Sequence, residues 1–423
     1  MTTALLTDRY ELTMVQAALR SGKSERKTVF EVFTRNLPAG RRYGVVAGVG
    51  RLLSAIEDFK FEEPEIEFLL SDGIVDAKTA EWLKGFRFSG SIHGYREGEL
   101  FFANSPVLTV ESTFSEAVIL ETLILSTLNY DSAVASAAAR MRFAAGNRYL
   151  AEMGARRANE HAAVAAARAA FIVGFDATSN LEAGRSFGVP TMGTSAHSFT
   201  LLHDTETEAF ESQIEVMGVG TTLLVDTFDV EEAVREAVRL TDGKIAAVRL
   251  DSGDLSVAAT KVRELLDSLG ARDTKIVVTS DLDENTIAAL AAAPVDRYGV
   301  GTSLVTGSGH PTVGFVYKLV SHAAGDEWVD VAKESRNKTN RGGKKSASRL
   351  VVDGIATAEL VGSASEGRAL QVPLIIDGKV DLSAIGIAGV TAARAHHQMA
   401  IKELPAAGFR LSSGEPAVPT TFV

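Results

Sequence analysis

The chain has 423 residues, about three times a typical domain of ~150, so two or three domains are expected. Hydrophobic residues make up 46% and charged residues 23%, a globular balance that excludes disordered, collagen-like and low-complexity classes. Lys plus Arg number 43 against 54 Asp plus Glu, and the net charge of −11 argues against a general nucleic-acid or membrane-surface binder, local basic pockets apart.

There are no cysteines, which excludes disulfides, thiolate nucleophiles, iron–sulfur clusters and Cys-ligated zinc. The N-terminus, Met1-Thr2-Thr3-Ala4-Leu5-Leu6-Thr7-Asp8-Arg9-Tyr10, lacks the basic-then-apolar layout of a signal peptide. The most apolar helical stretch, 162–175, is interrupted by Arg168 and is shorter than the ~20 residues a bilayer needs. The expectation is a soluble, cytoplasmic protein.

In chain order, 28–34 reads as a strand and 45–59 as a helix. The stretch 86–113 is strand-rich, with turn signals at Gly90, Gly94, Gly98 and Asn104-Ser105-Pro106. A long helical pattern covers 115–142. Apolar, β-branched runs then recur at 170–175, 189–192, 222–225, 245–250, Lys275–Val278 and Arg297–Val300. Helical periodicity fills most of the intervals: Glu206–Met217, Val230–Leu240, 255–269 and 284–292. Asp229 is placed as an N-cap, and Gly243 and Gly270 as C-terminal stops. Repeating βα units of this size predict an α/β barrel or a doubly wound sheet. Short strands resume after Pro311. The expected domains are an N-terminal α+β domain over 1–114, an α/β barrel domain over 115–309, and a β-rich segment over 310–423 that packs with the first.

The chemistry gathers where the strands end. The six runs are followed by Asp176-Ala177-Thr178-Ser179-Asn180, Gly193-Thr194-Ser195-Ala196-His197-Ser198, Asp226-Thr227, Asp251-Ser252-Gly253-Asp254, Thr279-Ser280-Asp281 and Gly301-Thr302-Ser303. In a parallel α/β domain these ends share one face, where ligands bind. One such residue is usually just the next helix's cap; six in a row exceed what capping needs. The stretch 299–309, rich in Gly, Ser and Thr, suits a phosphate cradle, although it is neither a Walker A motif nor GxGxxG. Arg249-Leu250-Asp251-Ser252-Gly253-Asp254 offers a guanidinium for an anion and carboxylates for ribose hydroxyls or Mg²⁺. His197 faces the same mouth and can serve as a base or accept a phosphoryl group; His203 is its nearest rival. Arg156-Arg157 is a candidate anion site, Arg35 with Arg41-Arg42 reads as solvated surface, and the charged run 337–345 as surface or as a cover over an anionic ligand. From the residues alone, the chain is an enzyme for a phosphorylated substrate.

Thr7-Asp8-Arg9-Tyr10-Glu11-Leu12-Thr13-Met14 resembles the N-terminal signature of nicotinate phosphoribosyltransferases. So do Phe33-Thr34-Arg35-Asn36-Leu37-Pro38 with Tyr43, Gly154-Ala155-Arg156-Arg157-Ala158, Gly193-Thr194-Ser195-Ala196-His197-Ser198, Arg249-Leu250-Asp251-Ser252-Gly253-Asp254-Leu255 and Gly299-Val300-Gly301-Thr302, in the family's order. Arg9 stands where the family motif has Leu.

The resemblance implies an irregular α/β barrel of the type II phosphoribosyltransferases with an α+β partner domain built from both termini. It implies conversion of nicotinate and phosphoribosyl pyrophosphate into nicotinate mononucleotide and pyrophosphate, in NAD salvage. It further implies Mg²⁺, ATP as co-substrate hydrolysed through phosphorylated His197, and a homodimer with the active site near the interface. Carried over by motif, Tyr10 borders the pyridine ring and Thr194 sits beside it. Arg249 and Arg156 hold the carboxylate or phosphates, Asp251 and Ser252 contact ribose or metal, Gly301 and Thr302 bind the 5′-phosphate, and Asp251 with Asp254 is the metal pair. The competing readings are a nicotinamide phosphoribosyltransferase, which needs an acceptor for the amide, a quinolinate phosphoribosyltransferase, whose chains are shorter, and a non-catalytic metabolite-binding protein on this scaffold.

Overall fold

The structure, a computed structural model, describes residues 2–333, 341–362 and 366–423. The chain divides into two compact units, Met1–Ser136 with His310–Val423, and Ala137–Gly309.

The first unit is built on an antiparallel sheet whose strands run Glu327–Asp330, Phe315–Ala324, Lys27–Thr34, Leu108–Thr113, Ser91–Tyr95, Gln371–Ile376 and Lys379–Val380 in spatial order. Segments from late in the chain therefore flank early strands on both sides. Lys27–Thr34 lies inside the sheet, paired on both sides, and every residue after Lys27 in it is buried. Phe30 stacks on Tyr317 with ring centroids 4.7 Å apart, joining the two ends of the chain inside one apolar core. A second sheet orders Arg368–Ala369, Ser346–Val352, Ile355–Gly362 and Thr420–Phe422. The fully buried Arg349 on it donates to Glu99 (2.6 Å) and Glu359 (3.0 Å).

The long helical pattern is two helices, Phe114–Val118 and Glu121–Ala145. The second restarts because the Glu11 carboxylate accepts from the Thr122 N–H (2.9 Å) and so caps it from a distant segment. The helix expected over 45–59 begins only at Val49, after Gly48 turns the chain with φ +94°.

The second unit is a parallel sheet of six strands: β1 (Tyr149–Glu152), β2 (Ala177–Thr178), β3 (Thr222–Leu224), β4 (Ala247–Leu250), β5 (Lys275–Val278) and β6 (Arg297–Val300). Their spatial order is β2-β1-β6-β5-β4-β3, every pair parallel, with β2 and β3 as the outermost strands. Strands packed on both faces read as unbroken apolar runs, as Ile276, Val277 and Val278 do. Two expected strands are corrected. Residues 170–172 end the helix Glu160–Ile172, because an Ala-rich run favours helix and Gly174 then turns the chain at φ +111°. The run 189–192 contributes one isolated bridge, Thr191 to Thr178. The helix Val230–Leu240 buries Ala233, Val234, Ala237 and Val238 and is capped by Asp229, which accepts from the Glu232 N–H at 2.9 Å. No helix among the described residues is long and apolar enough to cross a membrane.

Candidate active site

Because all six strands run the same way, their carboxyl ends form one edge of the sheet, and a cavity of ≈ 220 Å³ opens there. After β1 it is lined by Met153, Arg156 and Arg157; at β4 by Arg249 and Asp251; after β5 by Thr279, Ser280 and Asp281; and at β6 by Gly299, Gly301 and Thr302. Two glycines are required by close approach. A Cβ on Gly299 would sit 2.5 Å from Thr279 Cγ2, and one on Gly154 would sit 2.3 Å from Val305 Cγ1. Ser280 has φ +133°, a conformation that costs a non-glycine residue about 1–3 kcal/mol and is found where a loop must aim its groups.

Three guanidiniums face this small space. Arg249 donates through Nη1 to Thr194 Oγ1 and through Nη2 to the Ser195 carbonyl (3.1 Å), so two loops hold it. Burial pushes its pKa below the ordinary value and the charge on Arg156 does the same, while Asp251 and Asp226 pull it back up. Arg156 and Arg157 sit on the short turn Ala155–Arg157, their side chains exposed. Such a cluster is built for an anion with several oxygens.

Opposite lies an acidic group. Asp226 has a side chain only 5% exposed. Its Oδ2 accepts from the Asp251 N–H (2.8 Å) and the Ser252 hydroxyl (2.9 Å), while Oδ1 is buried with no hydrogen-bond partner. Asp251 also accepts from the Thr279 hydroxyl. His197 starts the helix His197–Leu202. Its Nδ1 shares a hydrogen bond with Thr227 Oγ1 (3.1 Å), and its Nε2 lies 3.9 Å from both Asp226 and Asp251.

The structure thus brings together Arg156, Thr194, His197, Arg249, Asp251, Ser252, Gly301 and Thr302. Asp254 accepts from the Val257 N–H (3.2 Å) as N-cap of Leu255–Ser268, and no cluster of three metal-ligating side chains occurs among the described residues. Tyr10 belongs to the first unit, on helix Arg9–Ser21, 46% exposed. Burial and then the charge on Glu121 push its hydroxyl up to about 12. His203 folds back on the Phe199 carbonyl (2.8 Å). Arg42 is occupied by the carbonyls of Ser412 and Ser413. Of the run 337–345, residues 337–340 lie outside the described residues, and Lys344 and Lys345 pair with Glu111 (2.7 Å) and Glu31 (2.8 Å). In the sequence Asp226 reads, with Asp176, as a ribose or metal ligand, while Thr279, Ser280 and Asp281 read only as polar residues after a strand, a signal that caps such as Asp229 share.

Residues 5–129 match the family described as nicotinate phosphoribosyltransferase N-terminal domain, and residues 149–360 match the nicotinate phosphoribosyltransferase family. The chain is 52% identical to the nicotinate phosphoribosyltransferase pncB1 of Mycobacterium tuberculosis over 99% of its length and 95% of the relative's. It is 38% identical to the nicotinate phosphoribosyltransferase of Bacillus subtilis, over 82% of this chain and 73% of that one. In fold it is similar to human nicotinic acid phosphoribosyltransferase, with a TM-score of 0.83 at 24% identity, covering 98% and 97% of the two chains. With its cationic cavity at the carboxyl edge of an open parallel sheet, the chain belongs to the nicotinate phosphoribosyltransferase family and has the α/β fold of the type II phosphoribosyltransferases.

Proposed function

We propose that this protein transfers the phosphoribosyl group of phosphoribosyl pyrophosphate to nicotinate, yielding nicotinate mononucleotide and pyrophosphate in the cytoplasmic salvage of NAD. The observation that carries the reading is the convergence of Arg156, Arg157 and Arg249 on one small cavity beside Asp251, Asp226 and His197. The nicotinate ring nitrogen attacks the anomeric carbon as the bond from that carbon to the pyrophosphate oxygen breaks, and pyrophosphate leaves with the electron pair. No side chain enters the displacement, so the rate comes from alignment and charge. Arg249 and Arg156 hold the carboxylate and phosphates. Gly301 and Thr302 take the 5′-phosphate, Thr194 lies beside the ring, and Asp251 with Ser252 contacts the ribose. Tyr10 borders the ring, supplied across the interface of a homodimer.

The buried, unpartnered Oδ1 of Asp226 and the carboxylate of Asp251 suit Mg²⁺, which takes few protein oxygens and keeps the rest for phosphates and water. Asp254 is engaged as the cap of the following helix. Bound there, Mg²⁺ supplies positive charge to the departing pyrophosphate. His197, its side chain 39% exposed, is reachable by ATP. Its ring nitrogen takes the γ-phosphoryl group as ADP leaves, and water later releases phosphate and restores the ring.

The test is to offer nicotinate, nicotinamide and quinolinate separately, each with phosphoribosyl pyrophosphate and Mg²⁺, with and without ATP, and to weigh the products. Mononucleotide from nicotinate, increased by ATP, is expected. Product from nicotinamide alone would overturn the ring-pocket assignment, and no product at all would favour the metabolite-binding alternative.

A further inference from the structure

Glu152, the last residue of β1, is fully buried, and no step above uses it. Its two carboxyl oxygens hold two different strand ends. Oε1 accepts from the Gly154 N–H and Oε2 from the Thr178 hydroxyl, both at 2.5 Å. Thr178 is itself fully buried, and its hydroxyl oxygen in turn accepts from the Asn180 N–H (2.9 Å). Gly154 opens the turn that carries Arg156 and Arg157, which closes through Arg157 N–H to the Gly154 carbonyl (2.8 Å). On its other side Gly154 is packed so closely that an added Cβ would lie 2.3 Å from Val305 Cγ1 and 3.0 Å from the Gly301 carbonyl. The arginine turn is therefore gripped between the Glu152 carboxyl and the Gly301–Thr302 loop. Burial raises the Glu152 pKa, with the hydrogen bonds from Thr178 and Gly154 opposing it. A buried carboxyl with no cation partner among the described residues is an expensive way to end a strand, unless what it holds must stay in place.

We propose that Glu152 is a positioning residue for phosphoribosyl pyrophosphate: by holding the Gly154 N–H and the Thr178 hydroxyl together, it fixes the turn that aims Arg156 and Arg157 into the cavity. The inference rests on the phosphoribosyltransferase reading. Glu152 itself touches no substrate. Its loss lets the arginine turn drift and weakens the charge-assisted contacts that Arg156 and Arg157 make to an anion.

The test is calorimetric titration of the full-length protein with phosphoribosyl pyrophosphate in Mg²⁺, a readout that needs no turnover. Glu152→Ala is expected to bind about tenfold or more weakly, the scale of weakening one charged hydrogen bond. Glu152→Gln keeps an acceptor for Gly154 and is expected within about threefold of wild type, and Thr178→Val, which removes one of the two bonds and preserves shape, falls between them. In steady state the KM for phosphoribosyl pyrophosphate rises while kcat moves little, a split that general loosening of the fold does not produce. Wild-type affinity in a folded Glu152→Ala protein overturns the inference alone. Should Glu152→Ala fail to fold, wild-type affinity in Thr178→Val overturns it equally. Absence of binding by the wild-type protein overturns the reading of function beneath it as well.

Discussion

Arg249 and His197 show how much of the chemistry depends on what surrounds a residue. Arg249 spreads its two terminal nitrogens over Thr194 and the Ser195 carbonyl, a forked contact that the single ammonium of a lysine cannot copy. Arg249→Ala is expected to lower kcat/KM for nicotinate by about a hundredfold or more, the usual scale for removing one aligned charge donor, and Arg249→Lys recovers little of it. Steady-state kinetics with nicotinate varied checks this, and an unchanged rate in either variant would remove Arg249 from the site. His197→Ala is expected to abolish ATP hydrolysis and leave slow, ATP-independent formation of the mononucleotide. Phosphate release and product mass, measured in one reaction, separate the two. ATP hydrolysis at the wild-type rate would take the phosphoryl role away from His197. The place of His197 after a strand points to it directly, whereas Asp226, which orders Asp251 and Ser252 and approaches the imidazole, reads in the sequence only as one of two Asp, with Asp176, that suit a ribose or metal. Its sequence context, one Asp after an apolar run, is that of an ordinary helix cap.

At the scale of elements, caps were legible and long-range ones were not. Asp229 caps the helix that follows it, as the sequence predicts, and Asp254, expected as a metal ligand, caps the next one, because an N-cap and its N–H partner lie three residues apart. Glu11 caps the helix Glu121–Ala145 from another element, and no local pattern announces that. Burial, only partly countered by the hydrogen bonds from Thr122 and Thr7, pushes Glu11 up to about 7 from an ordinary 4.5. The folded protein therefore holds a proton between these values that the unfolded chain releases. The stability this gives is complete below about pH 4.5 and is lost as the pH rises through 7, a change of at most about 3 kcal/mol at 1.36 per pH unit. Glu11→Gln, neutral at every pH, should lose that slope. Urea unfolding midpoints of the two proteins at pH 5 and pH 8 measure the difference, and parallel profiles would show that Glu11 does not titrate in this range.

For the whole molecule, the first unit is the part that local reasoning reaches least. Its buried inner strand Lys27–Thr34 pairs on one side with Phe315–Ala324, and Glu99 is buried against Arg349 and Arg368. A chain ending at residue 309 leaves that strand as an open apolar edge and Glu99 as an uncompensated buried charge, a loss of about 3–5 kcal/mol from the charge alone. Such a chain is expected to aggregate without a cooperative thermal transition, as circular dichroism and light scattering would report. A soluble fragment with a sharp transition would mean that the early strands fold without the late ones.

Much of this protein was determined locally. The helices Glu206–Met217 and Val230–Leu240 and the strands Lys275–Val278 and Arg297–Val300 follow from periodicity and caps within one short window. The motif residues around Arg249, His197 and Gly301 follow from what succeeds each strand. Only the tertiary structure decided that Ala170 and Phe171 continue a helix, that the sheet order is β2-β1-β6-β5-β4-β3, and that Glu152, Asp226 and Thr279 brace the site. Those outcomes depend on which distant segments are neighbours. A hydrogen bond between residues far apart in sequence, such as Thr178 to Glu152, leaves no period, cap or spacing for a linear reading to detect.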